Sequence, residues 1–354
     1  MRTVLLARPE RLKQFTLIAL IVIAGVLFNV VIDNYVSGRF FNRMTQSIAI
    51  TAVLAAGQSL VIITRNVDLS VGATAGVGAY ATGRLLGEFG GVPPVGAALI
   101  AAAIGAALGL FNGVLVAYGR VPSIIVTLGT LAIYRTALIN LAGARTITVD
   151  SLPQWLVDLP RSTVFSIGDF EFRSMFVAAV VVVTVLQLAL WRLRAGRLLY
   201  ATGSNPDAAR QAGLPVRRTT VLAFVACGAL AGFGGFLVLG RFGTITVTAG
   251  QGLELEAIAA AVVGGVSILG GSGTVLGSLL GATLIGLLNL SLVRVPQISE
   301  FVRDAVLGAL ILLAVVLDGA LQRRLATRGR IMAGDEIVST HREPPLAVPA
   351  GGAR

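Results

Sequence analysis

Few residues in this 354-residue chain have the type and setting to do chemistry, and they fall in four places. Asp68 stands in Thr64-Arg-Asn-Val-Asp-Leu-Ser-Val-Gly72, directly after an apolar run. Arg135 lies inside another apolar run, roughly 21 Å along a helix at about 1.5 Å per residue. Glu254 and Glu256 open a third apolar stretch. The fourth place is polar: Gly196-Arg-Leu-Leu-Tyr-Ala-Thr-Gly-Ser-Asn-Pro-Asp-Ala-Ala-Arg-Gln-Ala-Gly-Leu214.

A charge at bilayer depth costs about 2.5–3.5 kcal/mol on insertion scales, so Asp68, Arg135 and the glutamates must face protein or water. Asp68 reads as a cap for the following helix and a partner for Arg65, with Ser70 and Gly72 easing a break in the chain. The competing reading is direct contact with a transported ligand. Arg135 reads as a pin between helices, paired with Glu254, Glu256 or Asp304, against an alternative in which it lines a watery path. Glu254 and Glu256 suit the positive N-terminal end of an inward-running helix.

Composition removes most other chemistry. The single cysteine, Cys227, forms no internal disulfide, and the single histidine, His341, excludes the common zinc patterns. Lys13 is the only lysine, so the phosphate-cradling G-x-x-x-x-G-K-[ST] pattern is absent. No nucleophile, base or metal-ligand constellation remains, so no enzyme activity and no cofactor are expected. Any ATP that drives this protein must be held by another chain.

The elements that position these residues are membrane helices. The chain is 55% hydrophobic and 13% charged, against about 25% charged in soluble proteins. Seven runs are long enough to cross a bilayer: Phe15 to Ile32, Gln46 to Thr64, Pro94 to Tyr118, Val121 to Gly143, Ser174 to Trp191, Thr219 to Gly240 and Gly273 to Val293. The first is too long for a signal sequence and is read as a retained span. Val67 to Gly83, Leu253 to Gly270 and Phe301 to Leu317 are shorter or charged. Counting them as broken or protein-buried spans gives an all-α polytopic fold of about ten transmembrane helices.

The formal charge is +11, and its distribution sets the orientation. With the N-terminus inside, 18 of the 28 basic residues fall in inner segments and 8 in outer loops, with Arg135 and Arg303 within spans. Both termini and the loop 192–218 are expected in the cytoplasm, and the excess of positive charge needs no nucleic acid. The expected layout is a cytoplasmic segment 1–14, a membrane domain 15–320 and a cytoplasmic, disordered tail 321–354. The outer segment Ala144 to Arg173 is expected to form a small cap. Gly105, Gly109 and Gly113, and Gly277 with Gly281, recur every fourth residue and mark close helix contacts.

Within the polar loop, Asn205 can cap a helix of about two turns, Pro206 suits its first position, Asp207 favours its positive end, and Gly213 closes it. Ala208, Ala209 and Ala212 would give it a small-residue face for a groove in a partner. This segment resembles the cytoplasmic coupling loop of bacterial ABC importer permeases of the monosaccharide class. Two further stretches resemble the same family: Thr64 to Gly72, and Leu255-Glu-Ala-Ile-Ala-Ala-Ala-Val-Val-Gly-Gly-Val-Ser-Ile-Leu-Gly-Gly-Ser-Gly-Thr274. The likeness runs from about residue 45 to about 320. Thr64-Arg65-Asn66 and Val126-Thr-Leu-Gly-Thr-Leu-Ala-Ile-Tyr-Arg135 look closest to the autoinducer-2 and rhamnose branch.

The resemblance implies a permease in the bacterial inner membrane that works with a second permease, the same or a paralogue, two cytoplasmic ATP-binding subunits and a periplasmic solute-binding protein. Gly203, Asn205, Pro206, Asp207, Ala208, Ala209, Arg210 and Gly213 are then the candidates for coupling to the ATPase, with Gly203 and Arg210 the positions where substitution should uncouple transport. Asp68, Ser70, Gly72, Thr127, Arg135, Glu256, Gly264 and Gly265 are the candidates for the translocation pathway. Interruptions at Asp68 to Gly72 and at Gly264 to Gly273 fall in opposite halves, a pattern that points to a central path. An ion-coupled secondary transporter is the second reading, for which Asp68 and Asp304 would have to supply a carboxylate relay.

Overall fold

The computed structural model describes residues 9–143 and 145–295 and scattered positions between 302 and 316. Their order is α1 Pro9–Val31, α2 Gly38–Ile63, α3 Val71–Glu88, α4 Pro94–Ala117, α5 Ser123–Ala142, a short α6 Gln154–Asp158, strands β1 Thr163–Ile167 and β2 Phe170–Arg173, then α7 Ser174–Arg192, α8 Arg194–Ser204, α9 Pro206–Gln211, α10 Val216–Phe242, α11 Leu253–Val263 and α12 Val275–Leu292. Seven of these helices, α1, α2, α4, α5, α7, α10 and α12, are long and apolar enough to cross a membrane. They coincide with the seven long runs.

The shorter segments behave differently. The chain from Asn66 to Leu69 is not helical, and α3 starts only at Val71. The segment Leu253 to Gly270, expected as a broken or protein-buried span, is interrupted: α11 has 11 residues, about 17 Å at 1.5 Å per residue, short of a core about 30 Å thick. It stops where Gly264 caps it and Gly265 turns with φ 94°. Most of Phe301 to Leu317, including Asp304, and the whole of 321–354, including His341, lie outside the described residues.

Helix α10 is the centre of the packing and touches α2, α3 and α4. Its approach to α4 is backbone on backbone. A Cβ on Gly105 would lie 2.0 Å from the Gly228 carbonyl oxygen, and one on Gly232 would lie 1.9 Å from that of Ala101. Small residues at spacings of four thus admit a close crossing that carries dispersion contacts without large side chains. The outward faces remain apolar: Val22, Val26 and Val30 of α1 and Val181 and Val185 of α7 are all more than half exposed. Such surfaces require a hydrocarbon solvent.

The all-α expectation also needs correction at the 144–173 segment, where β1 and β2 form an antiparallel hairpin through Gly168, which takes φ 59°. Phe41 holds the hairpin on α2, with its ring 5.1 Å from Phe170 and 5.3 Å from Phe172. Gln46 donates to the Pro160 carbonyl at 2.7 Å, and Leu156 of α6 is fully buried. The segment is therefore a packed cap over one end of the helices.

Candidate functional site

Local chemistry builds the capped segment. The Asn205 side chain accepts from the backbone N–H of Asp207 at 3.1 Å and of Ala208 at 3.0 Å, taking up donors that a helix start leaves free. At the other end, Leu214 N–H reaches Ala209 O at 3.0 Å and Gly213 N–H reaches Arg210 O at 3.1 Å, with Gly213 at φ 75°. This is the two-bond closure that glycine permits. The helix has six residues, just short of two turns, and the 11-residue α8 before it was not foreseen. Asp207 and Arg210 pair at 3.2 Å but are largely exposed, so the pair adds little stability. The outward face of three alanines is corrected: Ala208 is exposed, whereas Ala209 is 6% exposed and packs inward.

Gly203 ends α8 against the core. A Cβ there would meet the Ile63 carbonyl oxygen at 1.7 Å and the Gly271 nitrogen at 2.7 Å. Arg65 joins the same place: its Nε donates to Gly203 O and its Nη2 to Ser204 O, each at 2.5 Å. The expected Arg65 partner, Asp68, is therefore not its hydrogen-bond partner here.

Asp68 is 2% exposed and serves its own loop. Its Oδ1 accepts from Ser70 N–H at 2.9 Å and Ser70 Oγ–H at 2.7 Å. Ser70, not Asp68, occupies the cap position of α3. Around it Asn112 donates to Ser70 Oγ at 2.8 Å, Tyr134 donates to Asn112 Oδ1 at 3.2 Å, and Thr127 donates to Val67 O at 3.3 Å. Gln58, with its amide turned to satisfy both atoms, brackets the Asp68 backbone at 3.1 and 3.3 Å. The non-helical Asn66–Ser70 stretch thus has its polar groups met by protein, as the low-dielectric setting demands. Asn112, Tyr134 and Gln58 had not been singled out, although a lone amide in an apolar run, as in Leu110-Phe-Asn-Gly113, is the signal that marks them.

The N-terminal ends of α3 and α11 meet. A Cβ on Gly72 would lie 2.0 Å from Glu254 Oε2 and 2.5 Å from Gly250 O. Across this contact Arg135 donates from Nη1 to Ala249 O at 2.6 Å and places Nη2 3.9 Å from Glu254 Oε2. Those two facing atoms have no hydrogen-bond partner. Glu256 turns elsewhere, accepting from Thr51 Oγ1 at 3.3 Å and Asn289 Nδ2 at 2.9 Å. Gly264 lies at the far end of α11, where a Cβ would strike Gly277 O at 2.4 Å. Of the pathway candidates, Asp68, Ser70 and Thr127 share one buried network, Gly72 and Arg135 share the helix-end junction, and Glu256, Gly264 and Gly265 join neither. Among the described residues no group of His, Cys, Asp and Glu is arranged to hold a metal ion.

Comparison with known proteins gives the family of the sequence. The family described as "Branched-chain amino acid transport system / permease component" matches residues 40–315. The chain is 36% identical over 329 residues, 92% of each chain, to the autoinducer 2 import system permease protein LsrC of Enterobacter sp. (strain 638). It is 35% identical over 312 residues, 88% of this chain and 86% of the relative, to the protein of the same name from Yersinia pseudotuberculosis serotype O:3 (strain YPIII). No solved structure matches it. Long apolar helices, α3 and α11 meeting end to end, a capped polar segment and this similarity along nearly the whole length lead to one assignment: the chain belongs to the permease-component family of ABC importers, multi-pass inner-membrane transport proteins rather than enzymes.

Proposed function

We propose that this permease carries a monosaccharide or related small polyol into the cytoplasm, with an autoinducer 2-like furanose first and rhamnose second. ATP hydrolysis on separate subunits would drive it. Those subunits would dock on the capped segment Asn205–Gly213, with both termini on the same cytoplasmic side. A second permease, identical or paralogous, would complete the pathway, and a periplasmic binding protein would deliver the ligand. The observation that carries this reading is the 36% identity over 92% of both chains to a protein named for autoinducer 2 import.

At the junction of α3 and α11, Arg135 Nη2 and Glu254 Oε2 are buried, lack hydrogen-bond partners and stand 3.9 Å apart. A polyol would reach this donor and acceptor only once the junction opens, and would then satisfy groups that are costly to leave unmet.

The test is ligand-stimulated ATP hydrolysis by the complete importer in proteoliposomes, scored over autoinducer 2, rhamnose, ribose and leucine. Stimulation of about fivefold or more by autoinducer 2 or rhamnose, with none by leucine, is expected. Stimulation by leucine alone would overturn the substrate class.

A further inference from the structure

We propose that Arg65 is a positioning residue that transmits movement of the coupling segment to both α3 and α11. This rests on the reading of Asn205–Gly213 as the docking site for the ATPase subunits.

The first sign is backbone geometry. Arg65 has φ 64°, and among the described residues only Asn34 and Arg120 join it as non-glycine residues with positive φ. It follows the end of α2, where Asn66 N–H bonds Val61 O at 3.1 Å and Arg65 N–H bonds Ile62 O at 2.9 Å. Glycine takes this helix-closing position freely, since it has no Cβ to crowd the carbonyl. An arginine here bears backbone strain that a glycine would avoid, and such strain persists where the side chain is used.

The second sign is where the side chain goes. Its planar fork meets two successive carbonyls, Gly203 O and Ser204 O, at the C-terminal end of α8. Those carbonyls lack onward helical donors and carry the negative end of the helix dipole, so a guanidinium fits them in shape and charge. The guanidinium is thus committed to the backbone, although Arg65 also borders a cavity of about 600 Å³ with Arg120, Arg210 and Arg217.

The third sign is what else meets there. Ile63 O accepts from Gly271 N–H at 2.9 Å, and Tyr200 of α8 donates to Gly273 O at 2.8 Å. A Cβ on Gly270 would lie 2.3 Å from Arg65 Cγ. Three segments therefore close on one point: the end of α2, the end of α8, and the glycine turn that follows α11. One residue beyond Ser204 stands Asn205, the cap of the docking helix. From Arg65 the chain leads through Asp68 into α3, and from Gly271 it leads back to α11. Displacement of α9 reaches both α3 and α11 through this contact, and Arg65 is the side chain that spans it.

Arg65→Gly tests this with little risk to folding, because glycine relaxes the φ 64° turn. In the complete importer, with autoinducer 2 and rhamnose as probes, Arg65→Gly should keep its ATPase subunits and its ligand-free ATP hydrolysis within about twofold while uptake per ATP hydrolysed falls roughly tenfold or more. Arg65→Lys, which keeps the charge without the fork, should fall between. A ligand-independent readout uses spin labels on the cysteines of Leu255→Cys and Arg197→Cys, the latter exposed on α8 outside the docking segment, in a chain that carries Cys227→Ser. The distance change on ATP binding seen with Arg65 present should be lost in Arg65→Gly. Uptake per ATP within about twofold of wild type, or an unchanged nucleotide-driven distance change, overturns the proposal. If Arg65→Gly behaves as wild type while Gly/Ser replacement of 205–213 strips the ATPase subunits, the transmission role fails and the docking reading stands. If that replacement leaves the subunits bound, the docking reading fails and the transmission role falls with it.

Discussion

Gly203→Ala is expected to lower uptake by the complete importer roughly tenfold or more while the chain still inserts and assembles. Cβ atoms do not approach other heavy atoms within 3.0 Å, yet this one would stand 1.7 Å from Ile63 O and 2.7 Å from Gly271 N. Neither obstacle is a side chain that can swing aside. The end of α8 must therefore back away from α2 by more than an ångström, and the Arg65 fork and the Ile63–Gly271 hydrogen bond lose their geometry together. The change meets the seven long helices only at Ile63, the last residue of α2, and leaves their apolar length intact, which is why insertion should survive. Gly213→Ala is the control. Its φ of 75° brings strain of about 1–2 kcal/mol, but a Cβ there meets nothing within 4 Å. It should cost stability in the docking helix and leave uptake within about twofold. Equal transport losses for the two variants would contradict the account of Gly203.

The second large effect is energetic. Arg135 and Glu254 are both mostly buried, at 19% and 16% side-chain exposure, and face each other at 3.9 Å. Removing one member leaves the other charge in a low-dielectric setting, which costs about 3–5 kcal/mol in buried pairs. Arg135→Met should sit at the upper end, because it also releases the Ala249 carbonyl that Nη1 holds at 2.6 Å. Glu254→Leu should cost less, since Arg135 keeps that carbonyl. The double variant should be more stable than the sum of the single losses by at least about 1 kcal/mol, read from denaturation midpoints of the detergent-solubilised chain. Additivity within about 0.5 kcal/mol would show that the two charges do not pin α5 to α11.

Hydropathy made the seven long helices legible because a membrane span is a local property: length and apolar content suffice. The capped segment was legible for the same reason, since Asn205, Pro206, Asp207 and Gly213 act within one helix. What could not be read was set by partners distant in sequence. Arg65 was assigned to Asp68, three residues away, because nearness suggests pairing. A backbone turned to positive φ sends the side chain instead to Gly203 and Ser204, about 140 residues on. The burial of Ala209 is not legible in the sequence, because a six-residue helix carries no pattern long enough to say which face is covered. Where α11 stops inside Leu253 to Gly270 is set by tertiary contacts such as Gly264 on Gly277, which hydropathy does not register. The 144–173 segment reads only as a cap, because the alternation Val164-Phe-Ser-Ile, Gly168-Asp169 and Phe170-Glu-Phe that forms its hairpin is short and lies between long apolar runs.

The central claim is that this chain moves its ligand only through force applied at its capped segment by separate ATPase subunits. The most direct measurement is uptake of autoinducer 2 and rhamnose by the reconstituted importer after residues 205–213 are replaced by a Gly/Ser stretch of equal length. The account predicts that the ATPase subunits no longer co-purify and that ATP-driven uptake falls to the background of empty vesicles. Uptake that persists at the wild-type rate, or uptake by the lone chain driven by an ion gradient without ATP, would contradict it.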